Sequence, residues 1–185
     1  MHAEDAGDGT TYTRPDGVIQ LHASCAARDG SGILLLGAPG AGKSDLLLRL
    51  IDRGFTLVSD DRTWVADGVA WPPPALEGLL EVRGLGVLRL PWRATAMVRL
   101  VIALDEASGA VLVPLQGNSD ATADRRLPWP MRHPGLELPA LRLDPRPASA
   151  PLVAELALDV VLGRRKLLAG AFASFPAGVV DDPRG

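Results

Sequence analysis

The segment GAPGAGKS at residues 37–44 constrains the fold of this chain more than any other feature. It has the form G-x-x-x-x-G-K-[ST] of a phosphate-binding loop, and it follows the apolar run at 32–36. Apolar residues then repeat at helical spacing through 44–53, and Gly54 follows as a helix terminator. A buried strand, a glycine-rich loop and an amphipathic helix in this order predict an α/β fold with a P-loop nucleotide-binding core.

Each residue type in this loop has a function in holding a triphosphate. Gly37, Gly40 and Gly42 are expected to take positive φ, which lets successive N–H groups approach phosphate oxygens. Lys43 supplies a compact positive charge for the β and γ phosphates, and Ser44 offers a hydroxyl to Mg²⁺. The helix that starts here adds the positive end of its dipole. We therefore predict that ATP contacts the whole loop: Gly37, Ala38, Pro39, Gly40, Ala41, Gly42, Lys43, Ser44 and Asp45.

Composition limits the size class of the protein and its partners. Its 185 residues correspond to about one domain, which we place at 17–173, between a disordered tail at 1–16 and a flexible tail at 174–185. No apolar run approaches the roughly 20 residues that cross a bilayer, and the acidic amino terminus does not resemble a secretory signal. Cys25 is the only cysteine, which fits a reducing compartment, and the net charge of −3 argues against general nucleic-acid binding. We expect a cytoplasmic protein that binds neither membrane nor nucleic acid.

The rest of the pattern predicts a mixed sheet. The strand before the loop, the helix at 44–53 and a strand at 55–58 form a βαβ unit, whose crossover makes the two strands parallel. The other predicted elements are strands at 18–27, 64–71 (a pair), 79–90 (two strands with a bend), 99–104, 110–115 and 141–143, a long loop at 117–139, a helix that Ser149 caps and that ends near Leu162, and a second helix at 164–172. The fold class is therefore α/β, with a mixed, partly antiparallel sheet flanked by helices.

Two adjacent carboxylates, Asp60 and Asp61, follow the second strand of the βαβ unit. Ligands of open α/β sheets bind at the carboxyl edge, so this pair is expected beside the phosphate loop. One interpretation is a Mg²⁺ ligand with a general base for a hydroxyl nucleophile, where bound metal offsets the repulsion between the two charges. The alternative is a turn or a helix cap. We favour the metal and base because the loop is one crossover away.

A second acidic pair, Asp105-Glu106, ends the apolar run at 101–104 and resembles a Walker B segment with a catalytic glutamate. That arrangement would belong to an ATPase that activates water. The alternative is an edge strand ending in a charged turn. We favour the charged turn, since one metal-holding acid suffices for a nucleotide site and Asp60-Asp61 lies in the tighter sequence context.

The segment LEVRGLG at 80–86 places Glu81 and Arg83 on one face of a strand. Such a pair is either an exposed ion pair of little energetic value or a functional pair, with a metal ligand and a phosphate-facing arginine. Gly84 and Gly86 favour the functional interpretation, because glycine weakens a strand unless the backbone must approach another group closely.

Together these residues resemble a known family. The segments GAPGAGKSDLLLRLIDRGFTLVSDD (37–61) and LEGLLEVRGLGVLRL (76–90) are similar to the catalytic domain of HPr kinase/phosphorylase. The resemblance covers about 18–168, and LEVRGLG is its most specific part. Members of that family use ATP to phosphorylate a serine of HPr, a phosphocarrier protein of the sugar phosphotransferase system.

The resemblance implies a metal and phosphate site made of four side chains. Lys43 and Ser44 would serve the phosphates and Mg²⁺, and Glu81 would be a second metal ligand. Asp60, next to the proposed base, completes our predicted metal set.

The resemblance also implies the groups that act on the acceptor. Asp61 would accept the proton of the incoming serine hydroxyl, and His22 matches an active-site histidine of the family. Arg126 matches the arginine of a mobile loop, with Arg125 as the alternative. Without the resemblance, a lone histidine and an arginine pair would be assigned structural and solvated roles.

The chain departs from the family in two respects. Longer members have an additional domain before the kinase domain, for which this chain has no room. The family has an arginine-rich loop that serves the phosphorylase reaction, and residues 144–148 (DPRPA) are only weakly similar to it. The chain therefore resembles the short proteobacterial type, and the kinase direction is better supported than the phosphorylase direction.

The sequence thus predicts an ATP-dependent protein-serine kinase that uses Mg²⁺, acts on an HPr-like phosphocarrier and forms a homo-oligomer. Two other interpretations remain open. One is a small-molecule kinase or NTPase on the same scaffold, which assays with and without HPr would separate. The other is a nucleotide-sensing module without catalysis, against which the intact set of Lys43, Ser44, Asp61 and Glu81 argues.

Overall fold

The computed structural model of the chain describes residues 15–104, 112–114, 128 and 131–172. These residues form two α-helices, twelve β-strands and one 3₁₀ turn at Pro74–Leu76. The strands are β1 (Ile19–Leu21), β2 (Ala23–Arg28), β3 (Ser31–Leu36), β4 (Thr56–Ser59), β5 (Thr63–Ala66), β6 (Val69–Trp71), β7 (Leu79–Val82), β8 (Gly86–Arg89), β9 (Ala96–Ala103), β10 (Val113–Pro114), β11 (Met131–His133) and β12 (Leu138–Arg142), and the helices are α1 (Lys43–Asp52) and α2 (Ala150–Val161).

Ten of these strands form one mixed sheet around β9. β3 and β12 pair with β9 in parallel, and β6 pairs with its first residues in the antiparallel sense. On the far side of β3 lies β2, which is antiparallel to both β3 and β4. Antiparallel pairs extend the sheet through β5 and β1 and through β11 and β10. The predicted fold class, α/β with a mixed sheet, is confirmed.

The strand directions bring several loops to one edge of the sheet. β4 is parallel to β3, as predicted, although β2 lies between them. Since β3, β4, β9 and β12 all run the same way, the loop at 37–42, the pair Asp60-Asp61 and the segment 143–146 all emerge at that edge. β2 runs the opposite way and begins there, so that His22 and Ser24 also lie at this edge.

Alternation along β3 divides the hydrophobic core into two layers. Ile33 and Leu35 pack with apolar residues of α1 and α2, whereas Leu34 and Leu36 belong to a second cluster of strand residues. Both described helices therefore cover one face of the sheet. The apolar stripe of α1, which is fully buried, anchors the helix that begins at the end of the phosphate loop. Burial of one such leucine contributes about 1.5–3 kcal/mol, so the stripe fixes the position of the loop.

The β7–β8 hairpin forms a separate two-stranded sheet beside the same edge. Its glycines, Gly84 and Gly86, lie at the turn between the two strands. A Cβ atom at Gly84 or Gly86 would meet nothing within 4 Å, but both residues have positive φ, of 83° and 123°. The positive φ values favour glycine at this turn, and a close approach of a ligand to this backbone stays a prediction.

The predicted long loop at 117–139 is wrong where the structure describes it. Residues 131–133 and 138–142 are the strands β11 and β12, joined by a turn in which Glu137 N–H donates to the His133 carbonyl oxygen. The prolines of this segment suggested a loop. Burial of Ala140 in the sheet beside β9 outweighs that local preference.

The predicted second helix at 164–172 is also absent. Gly163 has a φ of 70°, and the N–H groups of Arg164 and Arg165 both donate to the carbonyl oxygen of Asp159. These bonds close the last turn of α2 and redirect the chain. At the other end of α2, Ser149 occupies the cap position, but its side chain makes no capping hydrogen bond.

Within the described residues, no helix combines the length and the apolar character needed to span a membrane.

Candidate active site

Two glycines of the phosphate loop have positive φ, and a third avoids a steric clash within the loop. Gly40 and Gly42 have φ values of 82° and 96°, as predicted. Gly37 does not take positive φ, so that part of our prediction is wrong. A Cβ atom on Gly37 would lie 2.9 Å from the Cβ of Ala41, and glycine is therefore required because the loop folds back on itself.

Lys43 is the first residue of α1 and is buried under the loop. Its ammonium donates to the carbonyl oxygens of Gly37 and Ala38, at 2.9 and 3.2 Å, and lies 3.0 Å from Nε2 of His22. The lysine therefore links the loop to β2. Its charge lies at the centre of the candidate site.

His22 connects Lys43 to Asp61. Its Nδ1 lies 3.1 Å from Oδ1 of Asp61, on the side of the ring opposite Lys43. An ammonium can only donate, so Nε2 is the acceptor and a neutral ring carries its proton on Nδ1, directed at Asp61. The result is a chain of three polar groups, Asp61–His22–Lys43. Sequence reasoning named all three residues, and the structure brings them together.

The carboxylate of Asp60 is buried, and both of its oxygens accept hydrogen bonds. It accepts hydrogen bonds from Ser24 Oγ at 2.6 Å, from Ser44 Oγ at 3.0 and 3.1 Å, and from the Glu81 N–H at 3.3 Å. Only 7% of Asp60 is exposed. Asp60 is thus a fixed anchor that joins β2, α1 and β7 at the end of β4.

Asp61 has the opposite environment. Its side chain is 61% exposed, and its φ of 62° is a left-handed conformation that aspartate tolerates better than most residues. The Arg62 N–H closes the turn on the Asp60 carbonyl oxygen at 2.7 Å. This turn directs consecutive side chains apart. Asp60 faces Ser24 and Ser44, and Asp61 lines an open cavity.

That cavity, of about 510 Å³, holds most of the predicted site. Asp61 and Glu81 line it opposite the loop residues Lys43, Ser44 and Asp45. Asp45 also pairs with Arg49 one helical turn later, at 2.6 Å. Arg83 lines the cavity too, so the hairpin carries both a carboxylate and a guanidinium to the phosphate loop.

The oxygen ligands here suit Mg²⁺. The Ser44 hydroxyl and the Asp60 carboxylate are in contact, and Glu81 lies on the neighbouring wall. The described residues contain no group of three or more His, Cys, Asp or Glu side chains arranged to hold a metal ion by themselves. A Mg²⁺ site usually combines one or two carboxylates with substrate phosphates and water, so Ser44, Asp60 and Glu81 are the residues that could hold such an ion.

Ser24 contacts the candidate site, and sequence reasoning missed it. It is fully buried, donates to Asp60, and its Oγ lies 3.5 Å from the backbone nitrogen of Asp61. A polar residue within the apolar run of β2 was the available signal. Burial of the neighbouring Cys25 raises the pKa of its thiol to about 12.

Several predicted features lie outside the described residues. They are Arg125 and Arg126, the acidic pair Asp105-Glu106, and all or nearly all of both predicted tails. Their assignments, and the domain limits that depend on the tails, stay predictions.

The sequence of this chain is similar to those of known proteins. Residues 17–106 match the family model "HPr Serine kinase C-terminal domain". The HPr kinase/phosphorylase of Shouchella clausii is 42% identical over 78 residues, which cover 40% of this chain and 25% of the relative. That of Streptococcus thermophilus is 32% identical over 126 residues, which cover 62% of this chain and 38% of the relative.

The fold of this chain is also similar to that of a solved structure. The HPr(Ser) kinase/phosphatase from Coxiella burnetii superposes with a TM-score of 0.57 at 25% identity, over 75% of this chain and 87% of that one. The matched segments of the two curated relatives are much shorter than those proteins, since the chain spans 25% and 38% of their length.

Proposed function

We propose that this chain, which is related to the HPr kinase/phosphorylases through residues 17–106, is an ATP-dependent protein-serine kinase acting on an HPr-like phosphocarrier. The family match and the similarity to the Coxiella burnetii structure support the reaction class. The identity of the acceptor rests on the names of those relatives.

One observation carries the proposal. The exposed carboxylate of Asp61 is linked through His22 to the lysine of the phosphate loop. A nucleotide-binding module that only sensed ATP would have no need for an exposed carboxylate held in line with that lysine. A kinase needs one, because a hydroxyl nucleophile must lose a proton as it attacks the γ phosphate.

The phosphate loop would position the nucleotide. Its N–H groups and Lys43 hold the triphosphate, and Ser44, Asp60 and Glu81 would hold Mg²⁺. Bound Mg²⁺ supplies charge neutralisation for the phosphate oxygens. For Lys43, binding means exchanging at least one of its contacts to the Gly37 and Ala38 carbonyl oxygens for a phosphate oxygen.

Asp61 would act as the general base. The serine hydroxyl of the acceptor attacks the γ phosphorus, its proton passes to Asp61, and the bond between the γ phosphorus and the bridging oxygen of ADP breaks. His22 would keep Asp61 in place through its Nδ1, which lies 3.1 Å from the carboxylate.

Other parts of the proposal rest on the family resemblance alone. Arg126 would close over the transferred phosphoryl group, and the chain would assemble as a homo-oligomer. A cytoplasmic location follows from the reaction, because ATP and the phosphocarrier are both found there. We propose no nucleic-acid or membrane partner.

Transfer to HPr tests the proposal directly. The full chain is incubated with γ-labelled ATP and Mg²⁺, with HPr, with HPr whose acceptor serine is replaced by alanine, and without acceptor. We expect label on wild-type HPr only. Release of labelled phosphate in all three reactions would indicate an NTPase, and ATP binding without any turnover would indicate a sensor. Either result would overturn the proposed kinase activity.

A further inference from the structure

The β7–β8 hairpin has one face that packs on the core and one that is open to solvent. Leu80 is fully buried, and Val82 packs against the same apolar cluster, which includes residues of α1 and α2. Glu81 lies between them in sequence and points the other way, because successive side chains of a strand alternate. The open face is therefore the one that carries Glu81 to the cavity beside the phosphate loop.

Two large apolar side chains are exposed on this open side of the hairpin. Val87 is paired with Glu81 across the two strands, so the two side chains share a face with Cβ atoms about 5 Å apart. Val87 is 64% exposed, and Leu85, at the turn, is 70% exposed. A solvated sheet face usually carries polar side chains. We call Leu85 and Val87 the hairpin patch.

The hairpin patch lies outside the cavity but adjoins it. Glu81 and Arg83 line the cavity, whereas Leu85 and Val87 do not. A water molecule or a small hydroxyl compound fits inside about 510 Å³ and makes no use of apolar surface beyond the rim. A protein that inserts a serine side chain toward Asp61 must lay the adjoining part of its own surface over that rim. The patch is therefore placed to contact a protein acceptor.

The hairpin is held in position by its own hydrogen bonds and by its buried face. The Leu85 N–H donates to the Val82 carbonyl oxygen at 2.9 Å, which closes the turn. At the base of the hairpin, the Leu90 N–H donates to the Gly78 carbonyl oxygen at 2.8 Å. Together with the burial of Leu80, these bonds fix the patch relative to the cavity. A surface that is already ordered loses less freedom when a partner docks.

We propose that the hairpin patch docks the acceptor protein by contacting an apolar side chain next to the serine that enters the cavity. The inference rests on the proposed function, because it takes the hydroxyl to be activated at Asp61. It adds a recognition surface outside the phosphate and metal site. It also gives a rule of specificity, since a serine with only polar neighbours would leave Leu85 and Val87 exposed.

The test measures the kinetics of phosphoryl transfer from ATP to HPr by the full chain, with ATP affinity measured separately by calorimetric titration. The variants Leu85→Gln and Val87→Thr replace the apolar surface by polar surface of similar size, and Leu85→Met and Val87→Ile retain it. Ile19→Thr is the matched control for Val87→Thr. Ile19 is also a β-branched strand residue, is 43% exposed and does not line the cavity. A thermal melt verifies that every variant folds.

We expect each polar variant to raise the KM for HPr roughly tenfold, as for the loss of one apolar contact that matters in a protein interface. The kcat at saturating HPr and the affinity for ATP should stay within about twofold, because the patch contacts neither the reacting atoms nor the nucleotide. Leu85→Met, Val87→Ile and Ile19→Thr should keep the wild-type KM.

The outcomes separate this inference from the proposed function. If the polar variants phosphorylate HPr with the wild-type KM, the patch does not contact the acceptor and the inference is wrong. If their KM is unchanged but light scattering shows a smaller assembly than the wild type forms, the patch contacts a second copy of this chain and the inference is again wrong. If they weaken ATP binding as much as they raise the KM for HPr, the hairpin acts through the nucleotide site instead. If the wild-type chain binds ATP but does not phosphorylate HPr, the proposed function fails, and this inference fails with it.

Discussion

Asp60 and Asp61 are neighbours in sequence, but their carboxylates have different environments and different chemical uses. Asp60 is buried and accepts hydrogen bonds from two serines and a backbone N–H, whereas Asp61 is exposed and contacts one imidazole. The positive φ of Asp61 makes the difference, because it turns the second side chain away from the first. A pattern of two adjacent acidic residues predicts a metal or catalytic site. Which carboxylate is buried and which is exposed depends on that single backbone angle.

Ser24 should matter for metal binding more than for folding. Ser24→Ala removes the shortest hydrogen bond to Asp60 and leaves the carboxylate held by Ser44 and the Glu81 N–H. We expect roughly a tenfold rise in the Mg²⁺ concentration that half-saturates nucleotide binding, as for other groups that orient a metal ligand. Titration of Mg²⁺ against ATP binding measures this.

The control for that experiment is Ser24→Thr, which keeps the hydroxyl and should keep wild-type Mg²⁺ dependence. A role limited to stability predicts a lower melting temperature for Ser24→Ala with unchanged Mg²⁺ dependence, and that result would remove Ser24 from the site.

At the level of elements, the strand–loop–helix unit could be predicted almost completely. Its signals are local, since the glycines, the apolar run and the helical repeat lie within about 25 residues, and β3, α1 and β4 differ from their predicted limits by at most two residues. The insertion of β2 between β3 and β4 could not be predicted in the same way. It depends on pairing with strands on either side, and no short pattern encodes that choice.

The elements far from the phosphate loop were harder to predict from the sequence, because their structure depends on neighbouring elements. β12 contains Pro139 but becomes a strand because β9 offers a buried edge, and β11 then pairs with β12. The absent helix at 164–172 is excluded by a carbonyl oxygen of α2 that captures the next two N–H groups. In the first case a tertiary contact outweighs local preference, and in the second the local hydrogen bonds that end α2 redirect the chain.

Helix α2 is attached to the rest of the fold by charge as well as by its apolar face. Glu155 accepts hydrogen bonds from Arg28 of β2 at 2.6 Å and from Arg53 at the end of α1. These arginines hold the pKa of Glu155 below its usual range, with Arg28 as the largest cause. The ion pairs of Glu155 with these two arginines therefore stabilise the folded state at any pH at which Glu155 is ionised.

Glu155→Gln should lower the free energy of unfolding by roughly 1–2 kcal/mol at pH 7, since the lost hydrogen bonds are charge-assisted and partly buried. The lowered pKa means that wild-type Glu155 contributes fully above its unfolded pKa of about 4.3. That contribution is lost as the pH falls through the lower folded value. Urea unfolding at pH 7 and below pH 4 should show the difference between variant and wild type shrink with acid.

Glu137→Gln is the matched control, because its pair with Arg132 is exposed. It should cost less than about 1 kcal/mol at either pH. If Glu155→Gln behaves like Glu137→Gln at pH 7, the ion pairs between α2 and its neighbours are not a stabilising feature.

For the molecule as a whole, the site is an edge of the sheet and not a single motif. Four parallel strands end there and an antiparallel strand begins there, so the loop, both aspartates, His22 and Ser24 converge from distant parts of the chain. Sequence reasoning reached most of these residues through the motif and the family resemblance. It did not reach the cavity beside the loop that Leu104, Arg142 and Pro145 line, because that cavity needs β12 beside β9.

Nucleotide binding should stabilise the whole domain, since the loop is anchored through α1 to the core. At a ligand concentration of 100 times Kd, Mg·ATP adds about 2.7 kcal/mol to the free energy of unfolding, visible as a raised melting temperature. Lys43→Ala should abolish most of this shift. An equal shift in the variant would show that ATP binds away from the loop.

The central claim is that Asp61 takes a proton from the acceptor hydroxyl across a triphosphate held by the loop. The most direct measurement is the single-turnover rate of phosphoryl transfer to HPr by the wild type and by Asp61→Asn, together with the ATP affinity of each. The account predicts a rate reduced about 10²- to 10⁴-fold with ATP affinity changed less than about threefold. An Asp61→Asn chain that phosphorylates HPr at the wild-type rate would contradict it.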